Sequence, residues 1–326
     1  MRLLTGGVAH IAASIEDDLK KRCTGLNKAK VKGLADLAAT ALQSRSCNSG
    51  EWMAIMPRHE CDKKSKERYI NRFLSNESVD PIQVMGGFVP ELITMHTEKH
   101  KVVALMMDQS KITDNKECLM ISLRVGKRGI PIAWKVIETK GAIGFNIQKE
   151  LLDAVSQWIP EETDVTLLAD RFYGTSALVS WCKDHGWDYL IRLKGNLIFT
   201  HDGGEITPTD AHQLKLSELK EATFNNTDIK THIGILKEEG HPEPWFIAMS
   251  ADPSRETVLS YGQRWGIEAM FSDFKSKGFG ITSTHLTDPK RIERLILVLT
   301  IAMYFAVSTG MMDENDDTTK GSKKNS

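Results

Sequence analysis

The chain has little of several things that define common protein classes. It carries five cysteines among 326 residues, and no two of them form a Cys-x-x-Cys pair. A disulfide framework or a zinc knuckle is therefore not expected. The longest apolar run, Leu295 to Val307, covers 13 residues and is interrupted by a threonine. Since about 20 apolar residues are needed to span a bilayer, this run predicts a buried helix and no membrane partner.

Charge of one sign is not in excess either. The sequence has 42 Lys+Arg against 43 Asp+Glu, a net charge of −1, which counts against an overall polycation although local distribution matters more. No G-x-G-x-x-G or G-x4-G-K-[ST] motif is present, which argues against a metabolic α/β enzyme that holds a nucleotide cofactor. The N-terminal sequence has acids where a signal peptide would have its apolar core, so we expect a cytoplasmic protein.

Basic residues are nevertheless concentrated near the N-terminus. Residues 1–80 contain 14 Lys+Arg and 10 Asp+Glu, and their apolar residues recur at helical spacing. The segment 64–76, KSKERYINRFLSN, is predicted to be a helix whose basic surface, with the preceding residue, is formed by Lys63, Lys64, Lys66, Arg68 and Arg72. We interpret residues 1–85 as a helical DNA-binding region whose cations contact phosphates. The alternative is that these cations are ordinary residues on the solvent-exposed faces of the helices.

From residue 100 the apolar pattern becomes that of strands. Runs at 101–110, 118–126 and 129–139 predict a three-strand meander, after which helices alternate with strands up to residue 194. This order predicts an α/β fold with a mixed sheet covered by helices.

The remaining sequence completes a domain predicted to span 100–310. Residues 195–251, rich in Gly, Asn, Thr and Pro, are predicted to form a β-rich insertion. One helix is expected to run to about residue 276, and a last helix from about 289 to 307. The polar tail, 311–326, lacks large apolar residues beyond its first two methionines and is expected to be disordered.

Two of the predicted strands end in a carboxylate, at Asp108 and Asp170. The first and fourth strands are the two that can lie centrally in the sheet, which would bring both acids to one edge. Two carboxylates in close proximity need a cation or a raised pKa, and oxygen-only ligands favour Mg²⁺. The alternative for either acid is that it only ends a strand or caps a turn.

The helix that follows the predicted insertion carries a polar stripe. At about 100° per residue, its four members lie within an arc of about 60°, beside an apolar face; they are Tyr261, Arg264, Glu268 and Lys275. The stripe combines a carboxylate for metal with cations for phosphate, but a solvated surface stripe is the alternative. Gly262 and Gly266 lie in the same helix, each at a cost of about 1 kcal/mol, which indicates a close-packed neighbour.

The spacing of this stripe, Tyr-x2-Arg-x3-Glu-x6-Lys, resembles the signature of the DDE insertion-sequence transposases of the IS-four family. The segment 167–174, LLADRFYG, is similar to the family motif around its second carboxylate, and residues 273–299 are similar to the sequence after its glutamate. The resemblance covers about 100–310. It implies a ribonuclease-H-like fold in which Asp108, Asp170 and Glu268 are the catalytic residues.

The resemblance also implies cofactors and partners. The three carboxylates would bind two Mg²⁺ ions, which Mn²⁺ can replace, and Tyr261 with its two stripe cations would hold DNA phosphates. The partners would be the terminal inverted repeats of the element and the target DNA, bound by a homodimer when two ends are joined. The protein would then be prokaryotic and associated with the nucleoid.

Some alternatives stay open from the sequence. Trp245 in the predicted insertion could stack on an unpaired base, although packing inside the insertion is the alternative. The chain could also be a cellular nuclease or resolvase on the same fold, or a non-catalytic DNA-binding protein derived from a transposase. The intact Asp108, Asp170 and Glu268 argue against the last of these.

Overall fold

Helices make up the first part of the chain. The structure, a computed structural model, describes residues 7–97, 102–239, 242–275 and 277–322. Within the first of these ranges the helices are Val8–Arg22 (α1), Lys28–Ser44 (α2), Ser49–Ile55 (α3), Lys63–Leu74 (α4), Pro81–Gly86 (α5) and Val89–Thr97 (α6). The helical N-terminal region that the sequence predicts is thus present, and it extends to Thr97.

Side-chain caps set the beginnings of these helices. Asn27 caps α2 by accepting a hydrogen bond from the Lys30 backbone N–H. Asn48 caps α3 by accepting one from the Gly50 backbone N–H. Asp62 caps α4 in the same way. The apolar side chains of α2 face inward, where the helix packs against α1 and against the last helix of the chain.

A single ten-stranded sheet forms the centre of the described chain, in the order β3-β2-β1-β4-β5-β10-β9-β8-β6-β7. The strands are Val102–Thr113 (β1), Lys116–Val125 (β2), Arg128–Glu138 (β3), Asp164–Ala169 (β4), Asp188–Arg192 (β5), Phe199–His201 (β6), Gly204–Ile206 (β7), Glu218–Phe224 (β8), Lys230–Leu236 (β9) and Trp245–Met249 (β10). Strands β1, β4 and β5 are parallel, and the other pairings are antiparallel. This mixed sheet with flanking helices confirms the predicted fold class.

The parallel strands are joined through helices, as parallel pairing requires. Helix α7, Phe145–Ser156, connects β3 to β4, and helix α8, Ser176–Asp184, connects β4 to β5. The meander of β1 to β3 instead turns tightly, with Gly126 at a φ of 59° in the β2–β3 turn. Strand β1 pairs with both β2 and β4, so the first and fourth strands are neighbours, as predicted.

Residues 195–251 continue this sheet. Strand β10 pairs with β5, with Ile247 opposite Arg192, and the sheet then continues in the order β9, β8, β6 and β7 to its edge. A short helix, Pro208–Gln213 (α9), lies within this segment. The segment is β-rich as expected, and its strands share one sheet with the rest of the domain.

The C-terminal helices differ from the prediction in two places. The expected single helix up to residue 276 is divided into Arg255–Ser260 (α10), a 3-10 turn at Tyr261–Trp265, and Gly266–Phe274 (α11). The last helix, Pro289–Ser322 (α12), continues beyond residue 307 through most of the tail expected to be disordered. No proline follows Pro289 to stop it. Residues 323–326 of that tail lie outside the described residues.

Helix α12 packs against β3 and joins the sheet to the N-terminal helices. Its buried Glu293 accepts a hydrogen bond from the Val136 backbone N–H at 3.1 Å, and its backbone carbonyl accepts one from the Trp134 indole at 3.0 Å. Among the described residues, no helix is sufficiently long and apolar to cross a membrane.

Candidate active site

Two carboxylates lie side by side where the pairing of β1 with β4 ends. The last paired residues are Met107 and Ala169, and the next positions on the two chains are Asp108 and Asp170. Each acid accepts a hydrogen bond from the backbone N–H of the residue after it, at 2.8 Å for Asp108 and 2.6 Å for Asp170. Asp108 is not the last residue of its strand, because β1 continues to Thr113 against β2.

A third carboxylate reaches this edge of the sheet from α11. Glu268 lies in the first turn of that helix, and its side chain is 57% exposed. Arg264 connects it to the sheet: one guanidinium nitrogen donates to Asp108 Oδ2 at 2.9 Å, and the other donates to Glu268 Oε1 at 2.6 Å. The geometry therefore brings one acid of the sheet and the acid of the helix to the same arginine.

The position of α11 depends on Gly266. A Cβ atom there would lie 3.3 Å from Met106 Sδ and 3.4 Å from backbone atoms of Lys127 and Arg128. The helix therefore rests directly on β1 and on the β2–β3 turn, which explains one of the two glycines noted in the sequence. Gly262 has no such close neighbour, since a Cβ atom at that position would meet only the Trp265 ring within 4 Å outside the local backbone.

Burial strongly affects the protonation of Asp108. Desolvation raises the pKa of Asp108 to about 6, and the nearby charge of Asp170 adds to the increase, while the Arg264 guanidinium opposes it. The carboxylate is only 16% exposed. Even with the Arg264 guanidinium beside it, the Asp108 carboxyl therefore loses its proton at a higher pH than an exposed aspartate does.

The donor set suits a hard divalent cation, because all three groups are carboxylates. Asp108, Asp170 and Glu268 are the residues that could hold such an ion. Among the described residues, however, no three His, Cys, Asp or Glu side chains lie close enough together to ligate one. The Arg264 guanidinium lies between Asp108 and Glu268 instead. The residues fit a metal in their chemistry, but the three carboxylates do not converge, and Arg264 bridges two of them.

A family model described as a transposase DDE domain matches residues 95–305 of the chain. The chain belongs to this transposase family. No curated protein sequence matches it. Among solved structures, it is similar to the X-ray structure of Marinitoga piezophila Argonaute in complex with 5′ OH guide RNA and target DNA. That similarity has 13% identity and a TM-score of 0.26, and covers 69% of this chain and 33% of the Argonaute chain.

Two predicted phosphate-binding residues of the DDE domain are buried in this structure. Tyr261 is 2% exposed, and burial raises the pKa of its phenol. The side chain of Arg264 is 8% exposed and is engaged by the acids. Binding of a phosphate by either residue would require a local rearrangement.

The fourth residue of the stripe, Lys275, ends the helix that carries Glu268. It is half-buried directly after α11. Burial raises the pKa of Glu117 on β2, and the charge of Lys275 works against that increase. Lys275 is therefore close enough to β2 for its charge to act on Glu117.

Trp245 is a packing residue in this structure, and base stacking by it is not supported. It lies on β10 with 7% exposure and makes edge contacts with Tyr261 and Trp265, in each case with ring centroids 5.7 Å apart. All five residues of β10 are buried, and the 3-10 turn covers Trp245, a relation that the sequence alone does not reveal. Trp265, which is 48% exposed, is the aromatic ring of this cluster at the surface.

The predicted basic helix is present as α4, far along the chain from the carboxylates. Lys63, Lys64, Arg68 and Arg72 are exposed. Lys66 is half-buried, and its ammonium group donates to the Met53 carbonyl at 2.9 Å. Four of the five candidate DNA contacts are thus at the surface, and the fifth holds α4 against α3.

A basic pocket next to the carboxylates was not predicted from the sequence. Its volume is about 700 Å³, and its charged lining consists of Arg171, Arg192, Lys194 and Glu243 with a histidine. Both arginines lie 3.4 Å from the glutamate. Phe172 is 52% exposed, with the lysine ammonium 5.5 Å from its ring centroid. The only sequence signal was the Arg-Phe pair directly after the second acid.

Tyr173 is a second residue that the sequence analysis missed. It is 1% exposed, and its hydroxyl has no hydrogen-bond partner within the described part of the chain. Burial raises the pKa of its phenol, and the charges of Asp108 and Asp170 raise it further. Its place in the segment 167–174, three residues after the acid, was the available signal.

Proposed function

We propose that the protein is a DNA transposase of the IS-four subtype that cleaves the ends of its element and joins the 3′ ends to target DNA. The observation that carries the proposal is that Asp108 and Asp170 follow neighbouring strands at one sheet edge, with Glu268 joined to Asp108 through Arg264, in a chain of the transposase DDE family. The spacing of the Tyr–Arg–Glu–Lys stripe supports the subtype.

The three carboxylates would hold two Mg²⁺ ions, which Mn²⁺ can replace. When bound, such ions activate the attacking oxygen and stabilise the leaving oxygen of an in-line phosphoryl displacement. The chain itself supplies three carboxyl groups, two beside neighbouring strands and one on a helix that contacts the sheet at Gly266. Water is the nucleophile that releases each 3′-hydroxyl, and that hydroxyl then attacks the target. No covalent bond between protein and DNA is required.

Cations around the site would position the DNA strand. The candidates are Lys275, whose charge acts on Glu117 of β2, and the basic pocket with Arg171 and Arg192. Phosphate contacts fix the register of a bound strand, and correct positioning is itself a large part of catalysis. The exposed cations of α4 would add binding to the terminal inverted repeats.

The assembly and location follow from the reaction. Joining two ends requires at least two copies, so the active species would be a homodimer on double-stranded DNA. The proposed setting is the prokaryotic cytoplasm, at the nucleoid. A cellular nuclease or resolvase would use the same acids, and cleavage specific for inverted repeats separates it from a transposase.

The deciding experiment replaces Glu268 by Gln, which keeps the shape but removes the charge that holds a divalent ion. With Mg²⁺ we expect nicking of a labelled element-end fragment to fall by orders of magnitude, while end binding survives. Asp108→Asn and Asp170→Asn should behave alike, and double variants should be no worse than single ones. Glu256→Gln, an exposed change of the same kind on α10, is the matched control and should cleave normally.

The proposal makes a clear contrast with a structural role for Glu268. If the exposed glutamate only paired with Arg264, the pair would contribute about 0–1 kcal/mol, and Gln would scarcely affect cleavage. Near-normal nicking by Glu268→Gln would therefore overturn the assignment. If the unmodified protein binds DNA but nicks no DNA in the presence of metal, the result would favour the non-catalytic alternative.

A further inference from the structure

The Arg264 guanidinium fills the position between two of the proposed catalytic acids. It lies 2.9 Å from Asp108 Oδ2 and 2.6 Å from Glu268 Oε1, and its side chain is 8% exposed. Because an arginine stays protonated at any physiological pH, it is a permanent cation at this point. It neutralises carboxylates that would otherwise repel one another across the site.

The same oxygens cannot serve the arginine and a divalent ion at once. Mg²⁺ requires carboxylate oxygens at about 2.0–2.1 Å, whereas the guanidinium holds Asp108 and Glu268 apart through two separate nitrogens. Its positive charge also opposes a second cation nearby. Consistent with this, no three potential ligands converge within the described chain.

The local backbone is one that can let the arginine leave. Arg264 lies in the 3-10 turn Tyr261–Trp265, between two α-helical segments, and short 3-10 stretches inside helices often mark hinges. Its Nε atom is buried and has no hydrogen-bond partner among the residues described. A planar guanidinium released from the acids is suited to bidentate contact with a phosphate.

We propose that Arg264 is an internal counter-ion that occupies the acid site of the free protein and transfers to a DNA phosphate when divalent metal binds. This inference rests on the proposed function. It makes metal binding and DNA binding mutually dependent: DNA that takes the arginine strengthens metal binding, and by linkage metal strengthens DNA binding. The free protein would therefore hold metal weakly and would not be loaded for cleavage away from DNA.

The test measures Mn²⁺ affinity of the full chain by the electron paramagnetic resonance signal of the free ion, with and without a short random-sequence DNA duplex. For the unmodified protein, we expect the duplex to raise Mn²⁺ affinity about tenfold or more, within the usual range of coupling. For Arg264→Gln we expect an affinity already raised by a similar factor without DNA, and little further effect of the duplex.

Two further variants make the result specific. Arg264→Lys keeps a cation but loses the two-nitrogen contact with Asp108 and Glu268, so it should bind Mn²⁺ with intermediate affinity. It also allows the test to be made if the glutamine variant does not fold. Arg124→Gln removes a neighbouring guanidinium that bonds to Gln263 and not to the acids. It should leave both the affinity and the DNA effect unchanged.

The outcomes separate this inference from the proposed function. If DNA raises Mn²⁺ affinity by the same factor in the unmodified protein and in Arg264→Gln, the exchange is refuted, while metal-dependent cleavage still stands. Equal affinities of the two proteins without DNA would refute it as well. If neither binds Mn²⁺ with or without DNA, both the exchange and the proposed metal chemistry fail.

Discussion

Replacing Gly266 by Val tests whether the contact of α11 with the sheet places Glu268, the proposed third carboxylate of the site. Even a Cβ atom would lie 3.3–3.4 Å from Met106, Lys127 and Arg128, closer than the ordinary 3.5–4.0 Å, and two of these neighbours present backbone atoms. Overpacking of this kind costs about 1–3 kcal/mol, while leaving glycine regains a few tenths of a kcal/mol of helix propensity. We therefore expect a net loss of about 1–2 kcal/mol.

The effect on activity should exceed the effect on stability. Relief of the clash would move α11, and a displacement of about 1 Å can cost about 100-fold in rate. We expect the thermal midpoint to fall by a few degrees, and cleavage with Mg²⁺ to fall about 10- to 100-fold. Gly262→Val is the matched control, because its nearest neighbour outside the local backbone is a Trp265 ring atom at 3.7 Å.

The comparison of the two glycines can refute this reasoning. Normal cleavage by Gly266→Val would show that the helix tolerates the added volume without moving the glutamate. An equal loss in Gly262→Val would show that the backbone freedom of glycine matters, and not the contact with the sheet. Gly266→Ala should lie between the unmodified protein and the valine variant, since it needs a shift of only a few tenths of an ångström.

Three other predictions concern DNA binding, packing and thiol chemistry. Replacing Lys63, Lys64 and Arg68 together by Ala should reduce the salt dependence of DNA binding, by about one unit of slope per lost phosphate contact, at an unchanged thermal midpoint. Trp245→Ala should lower the free energy of unfolding by about 3–5 kcal/mol, since it leaves a cavity at a buried ring. A nearly unchanged thermal midpoint would instead favour base stacking by Trp245. Burial raises the pKa of the Cys47 thiol to about 11, so its reaction with a disulfide reagent should be slow near neutrality and rise about tenfold per pH unit, an effect absent in Cys47→Ser.

The sheet around the site could be predicted because its signals are local. Buried strands appear as continuous apolar runs, and the alternation of strands with helices restricts their order. The adjacency of Asp108 and Asp170 followed from placing the first and fourth strands centrally. The exact end of β1 could not follow, since residues 109–113 pair with β2 after the pairing with β4 has stopped.

The stripe helix shows where a uniform helical pattern misleads. Angles taken at 100° per residue assume one α-helix, but the 3-10 turn at Tyr261–Trp265 changes the rotation per residue. The pairing of Arg264 with Glu268 survives because the two residues are four apart. Tyr261 instead turns into the core against Trp245. Its burial depends on a strand from residues 195–251, whose position in the sheet is set by non-local pairing.

That non-local pairing has a consequence for how the domain can be divided. Ile247 of β10 lies opposite Arg192 of β5, and the Leu193 N–H donates to the Phe246 carbonyl at 2.7 Å. Deletion of residues 195–251 would therefore remove β10 from β5 and leave a row of unpaired backbone groups along β5. An exposed edge of this kind promotes aggregation. The hydrogen bonds of the sheet form a continuous mechanical link from β7 to the acids, so a load applied at β7 would be carried through β5 to β4 and to the strand pair that holds Asp108 and Asp170.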